Sequence, residues 1–232
     1  GELFSSFEIS RTDNAGIFFR HNSSQGDIDG VRLENKYYDT ELSGNYTSRQ
    51  KDMSYKLEAG VEHQLFNWYG LNDNFDTATD ETLNEIDPQQ TYLGFHVGGN
   101  ISLEESIFEG ASAKIHYLGD AFSSSEINLN LQPNFAFPLT DFTLKIDGEV
   151  DYVNGSFERN YINNMGIAYS YLNAGITPSL VYVNEDLTLS LGANAVVSLD
   201  TENSETEFFI YPRINASYRL VDEVLIVYGG AE

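Results

Sequence analysis

Leu187-Thr188-Leu189-Ser190-Leu191-Gly192-Ala193-Asn194-Ala195-Val196-Val197-Ser198-Leu199 carries an apolar residue at every second position and mostly small or polar residues between them. Successive side chains of a strand point to opposite faces, so this stretch reads as a strand with one apolar and one polar face. The next stretch repeats the pattern. Phe208, Ile210, Ile214, Ala216, Tyr218 and Leu220 face one way, and Arg213, Asn215, Ser217 and Arg219 the other.

Earlier segments follow suit. Phe142, Leu144, Ile146, Val150 and Tyr152 alternate with Thr143, Lys145, Asp147, Glu149 and Asp151. Ile127, Leu129, Leu131, Phe135 and Phe137 alternate with Asn128, Asn130, Gln132 and Asn134, and Tyr55, Leu57, Ala59, Val61 and Leu65 with Lys56, Glu58, Glu62 and Gln64. About twelve such segments are visible by matching to a period of two.

A soluble β-sandwich also has one apolar and one polar face. Strand length separates the two cases: several segments run for about a dozen residues, near the nine to eleven of a tilted membrane strand and above the usual five or six. Connection length alternates as well. Tight links are expected at Asp13-Asn14-Ala15, Arg49-Gln50-Lys51-Asp52, Leu139-Thr140-Asp141, Asn184-Glu185 and Val221-Asp222-Glu223. Long polar links are expected around Asn22 to Lys36, Gly70 to Gln89, Asn154 to Asn164 and Asp200 to Glu205. Short turns at one end and long loops at the other are the signature of an up-and-down membrane barrel. Two links fit less well, Ser123-Ser124-Ser125 being short and Glu104 to Glu109 long for their places in the alternation.

Aromatic residues supply a third sign. Tyr37, Tyr38, Phe66, Trp68, Tyr69, Tyr92, Tyr117, Phe122, Tyr152 and Phe157 fall near strand ends facing the long loops, where rings suit a headgroup boundary. Ordinary cross-strand pairing is the alternative. Pro133, Pro178 and Pro212 lie inside expected strands and each removes a ladder donor, so bulges or local breaks in pairing are expected there.

The expected fold is therefore all-β, an antiparallel up-and-down transmembrane β-barrel over residues 1–232. Both ends read as cuts within a larger barrel. No stretch has the roughly 18 apolar residues of a membrane helix. There is no cysteine, which excludes disulfides and thiolate metal sites. The formal charge of -24 disfavours nucleic acid and anionic surfaces and favours cations, although a solvated acidic surface explains it equally.

No Gly-x-Ser-x-Gly, phosphate-loop or His-Glu-x-x-His motif occurs, and no catalytic residue is expected. Any triad would have to assemble across strands, with His63 beside Glu62 or His96 the first places to look. His21, His63, His96 and His116 otherwise read as single structural histidines. Asp27, Asp29, Asp73 and Asp76 place carboxylates in long loops, which suit hard cations such as calcium; a solvated loop is the simpler reading, so no cofactor is required. Lys145, Asp147, Glu149, Asp151, Arg213 and Arg219 are too charged for a packed interior. In a barrel they would line a wet lumen or face a plug, and in a sandwich they would form the outer face.

His21-Asn22-Ser23-Ser24-Gln25-Gly26, Asn67-Trp68-Tyr69-Gly70-Leu71 and Val227-Tyr228-Gly229-Gly230-Ala231-Glu232, with the strand-and-turn grammar, resemble the barrel of TonB-dependent-receptor-like outer-membrane proteins of Bacteroidota. The resemblance implies a large barrel in the bacterial outer membrane, an N-terminal plug in true receptors, and energised uptake through TonB. These residues contain no plug-like sequence and no TonB-box candidate, and no ligand-binding residue carries over by motif. Three readings follow: a receptor or transporter barrel that binds or passes a substrate without bond chemistry; a structural or accessory barrel among other outer-membrane proteins; and a soluble β-sandwich binding module. The partners expected are outer-membrane lipid and, for the first two, TonB or other outer-membrane proteins.

Overall fold

A computed structural model describes residues 1–26, 28–68, 78–158, 165–221 and 225–231. Among these, twelve strands follow one another in chain order: β1 Glu2–Glu8, β2 Asp13–Gln25, β3 Lys36–Arg49, β4 Met53–Asn67, β5 Gln89–Leu103, β6 Phe108–Asp120, β7 Ser125–Pro138, β8 Thr143–Phe157, β9 Ile167–Val183, β10 Leu187–Asp200, β11 Glu205–Val221 and β12 Leu225–Ala231. Each pairs antiparallel with the next, giving a single up-and-down sheet in the order β1 to β12. No pairing joins β1 to β12 among the described residues, so the sheet has two edges.

The register keeps one face apolar across the whole sheet. Leu57 pairs with Tyr46 on β3, and Val97 with Ala59 on β4 and Ile115 on β6. Leu129 pairs with Tyr152, and Ala195 with Ile176 and Ile210. A slip of one residue would turn a whole strand over, so this consistency is what fixes the pairing. No second layer covers the apolar face among the described residues. Leu57 and Val97 are each 55% exposed in mid-strand and Ile210 is 62% exposed. The second sheet that a sandwich requires is not found there.

Short links close one end of the sheet at residues 9–12, 50–52, 104–107, 139–142 and 184–186. At the other end 26–35, 68–88 and 158–166 are longer, while 121–124 and 201–204 are as short as the turns opposite, so the long link expected around Asp200 to Glu205 is a four-residue turn. The first turn sits earlier than Asp13-Asn14-Ala15, which belong to β2. Ser10 and Thr12 hydroxyls both donate to the Asp13 carboxylate and the Ile9 and Ser10 N–H groups to its carbonyl, so Asp13 closes the turn from inside the strand. The long links are shorter than expected because polar strand ends keep pairing: Ser24 reaches Tyr37 and Gln25 reaches Lys36. Within the expected irregular stretch from Gly70 to Gln89, Asp80–Asn84 form a one-turn helix, α1, whose N-cap Thr79 accepts from the Thr82 N–H.

The prolines break pairing without shifting register. The β7–β8 ladder skips from Leu131↔Val150 to Asn134↔Asp147, and β9–β10 from Gly192↔Ser179 to Ala195↔Ile176. Pro133 faces Gly148, where an added Cβ would lie 3.0 Å from the proline Cγ. Pro212 stays in register with Ala193. The register shifts fall elsewhere, between Phe108 and Gly110 and between Arg219 and Val221.

Candidate functional site: the polar face

The polar face is built by the alternate residues that the apolar pattern leaves over. In cross-strand order its middle reads Asn45, Glu58, Gly98, Lys114, Asn130, Asp151 and Asn173. These groups bind one another. Arg20 bridges to Asp39 at 3.3 Å and to Glu41 at 3.2 Å. Lys56 meets Glu58 at 2.8 Å and Lys145 meets Glu109 at 3.3 Å. The Asn134 amide donates to Asp147 at 2.8 Å, and that of Gln64 to Glu62 at 2.6 Å.

Glycines set which pairs can form. Lys114 reaches Glu58 at 3.7 Å two strands away because Gly98 between them has no side chain. The Tyr169 hydroxyl donates to Glu126 in the same way, its ring lying on Gly155 of β8. His96 lies over Gly60 and the Asn45 amide over Gly16. Gaps in the side-chain layer are thus filled from neighbouring strands.

Charge is unevenly spread along the strands. Toward the long-loop end the polar face carries Asp39, Glu41, Glu62, Asp120, Glu126, Asp200, Glu205 and Glu207, with Arg20 as the cation among the described residues. Toward the short-turn end and mid-strand it carries both signs, Lys56, Lys114, Lys145, Arg213 and Arg219 beside Glu8, Glu58, Glu109, Asp147, Glu149 and Asp151.

Lys145, Asp147, Glu149 and Asp151 therefore share the polar face with Arg213 and Arg219, as the alternation implies. Lys145 and Arg213 even lie in one cross-strand row, through Ser179 and Gly192. The two groups remain separated by β9 and β10, so these six residues make a lining and not a cluster. Of the loop carboxylates, Asp29 is exposed, while Asp27, Asp73 and Asp76 lie outside the described residues. Glu62 and His63, adjacent in β4, fall on opposite faces, so His63 approaches neither Glu62 nor His96 in the manner of a triad.

The aromatics divide between the faces. Tyr38, Tyr117 and Tyr152 lie on the apolar face and Tyr37, Phe66, Tyr92 and Phe157 on the polar one, while Trp68 and Phe122 are in loops and Tyr69 is outside the described residues. A second ring set, missed in the sequence, marks the short-turn end: Tyr46 with Tyr55, Phe108 with Phe135, and Phe142 with Tyr182, at centroid distances of 5.9, 5.3 and 5.5 Å. The register shift between Phe108 and Gly110 brings Phe108 beside Phe135.

At the long-loop end two links pack on each other. Arg32 donates to the Ala78 carbonyl at 2.8 Å and pairs with Asp80 at 3.0 Å, and the Asn67 amide donates to the Glu34 carbonyl at 2.9 Å. Leu33 and Leu83, one in each link of this cap, are only 6% and 5% exposed.

No protein-family model and no curated protein matches this chain. Among solved structures, that of the FpvAI–pyocin S2 complex contains a chain that aligns with a TM-score of 0.62 at 12% sequence identity, covering 99% of this chain and 40% of its own length. At that identity the likeness is one of fold, and this chain spans well under half of the matched one.

Proposed function

We propose that this chain forms part of the wall of an outer-membrane β-barrel of the TonB-dependent-receptor type, binding or passing a substrate along its polar face. One observation carries the reading: a single sheet of twelve strands keeps one face apolar and uncovered from β2 to β11. Burying such a face in water-free surroundings is worth roughly 25 cal/mol per Å², so an aqueous resting place for it would be costly. Strands of 13 to 17 residues from β2 to β11 suffice to cross a bilayer core when tilted. Aromatic residues near both ends of the apolar face suit its two boundaries.

The solved structure of similar fold is that of the FpvAI–pyocin S2 complex, an assembly of two proteins, which supports a barrel that meets other proteins. Outer-membrane lipid, TonB, and a kinship with the receptors of Bacteroidota belong to the same proposal. So does the absence of bond chemistry. An accessory barrel within a larger outer-membrane assembly is the second reading, supported by the ion pairs that engage the polar face with itself.

The test is gel mobility of the full-length protein extracted from membranes in detergent. A band that migrates differently before and after boiling, from the outer-membrane fraction, is the expected result. A soluble protein with no heat-dependent shift would overturn the membrane reading. Deletion of the gene followed by uptake assays separates transport from scaffolding, since only a transporter's loss abolishes accumulation of a substrate.

A further inference from the structure

His96 on β5 and His116 on β6 are direct register partners, and both lie on the polar face. Side chains so opposed have Cβ atoms about 4.5–5.5 Å apart, within the reach of two imidazoles sharing one ion. Glycines surround His96. The positions flanking His96 on its own strand are Gly94 and Gly98, and β4 offers Gly60 directly opposite. Carboxylates stand on either side, Glu58 across from Gly98 and Glu62 across from Gly94. Glu62 and His116, with Tyr92 and Leu118, line a hollow of about 320 Å³ over Gly94.

The four histidines differ in how they are held. On the apolar face His21 bonds Thr40 through Nδ1 at 2.8 Å and stacks on Tyr38. His96 and His116 face the wet side, and neither ring makes a hydrogen bond among the described residues. Gln64 holds one oxygen of Glu62 and leaves the other open. Two imidazoles with a carboxylate are the donor set of borderline divalent ions, copper heading the affinity order, and differ from the all-oxygen sites that calcium prefers. No three such ligands already converge among the described residues. The His96 ring lies over Gly60 and has to swing toward β6 for the two imidazoles to share an ion, between Gly94 and Gly98, which carry no side chains of their own.

We propose that His96 and His116 form a two-histidine site for a divalent transition-metal ion on the polar face, with Glu62 supplying an oxygen and water completing the shell. The site needs only the β4–β6 register, so it stands or falls separately from the membrane reading.

The experiment titrates Cu²⁺ into the detergent-folded full chain, followed by calorimetry and electron paramagnetic resonance. One ion per chain with coupling to two nitrogens is expected. His96→Gln and His116→Gln each remove one nitrogen coupling and weaken binding by about tenfold or more, in the range that perturbing a metal site produces. Glu62→Gln weakens it less, and the double variant His21→Gln/His63→Gln leaves it unchanged. Circular dichroism verifies the β-signal of every variant, and glutamine keeps bulk and polarity where alanine would leave a gap. The proposal is overturned if folded His96→Gln and His116→Gln bind as the parent does, or if the His21/His63 pair carries the binding.

Discussion

Val97 and Asn194 show what one side chain decides, since they lie mid-strand on opposite faces of the same sheet. Lysine at the bilayer midplane of a barrel's outer face costs about 2–4 kcal/mol, against about 0.5 kcal/mol or less for an ordinary surface change. Val97→Lys is therefore expected to lower unfolding stability in lipid vesicles by the larger amount, and Asn194→Lys by the smaller, both read from denaturant midpoints. Equal small effects would speak against lipid at Val97. Gly155 makes a second test. A leucine there would displace the Tyr169 ring and break its bond to Glu126, and overpacking of this kind costs about 1–3 kcal/mol. Tyr169→Phe, which keeps the ring, should lose only about 0.5–1.5 kcal/mol by the same measurement. Alternation in the sequence puts Lys145, Asp147, Glu149 and Asp151 on one face of a strand, and in β8 they share it. It left the partners of Glu58, Glu126 and His96 obscure, because these depend on glycines in the intervening strands and so on register.

Elements were legible to the degree that their periodicity was long. β10 and β11 could be read directly, since thirteen or more alternating positions leave little freedom of phase. Ends were harder. The polar residues Asn22 to Gln25 resemble a loop in composition but pair with β3, and Asp13 resembles a turn residue but starts a strand. The five residues of α1 are too few for any helical period to show, and what holds them is tertiary: Leu83 is buried, and Arg32 binds Asp80 and the Ala78 carbonyl. Leu83→Ala should accordingly loosen the cap by about 2 kcal/mol, the lower range for a buried leucine. Limited proteolysis is expected to cut faster near residues 28–35 and 78–88, while the denaturant midpoint of the sheet stays put. A fall in both would mean that cap and sheet unfold together.

At the level of the whole molecule, the sequence implied the strand number and the up-and-down order, which depend on local pattern, and the alternation of link lengths only in part, since residues 121–124 and 201–204 turn as tightly as the links at the opposite end. Whether the sheet is closed is a matter of what meets β1 and β12, and no local pattern encodes that. Unpaired edges present rows of N–H and C=O groups to other strands. The 232-residue chain expressed alone in detergent should therefore associate with rising concentration, seen as a sedimentation coefficient that climbs across a dilution series. A coefficient constant over that series would indicate that the edges are satisfied within one molecule. The charge layout has its own consequence. A channel bounded by this wall would be carboxylate-rich at one mouth and ammonium- and guanidinium-bearing further in, so an ion entering from either side meets a different potential first. In planar bilayers such an asymmetry is electrical: current would pass more readily at one polarity than at the other, and the rectification would fade as added salt shortened the screening length.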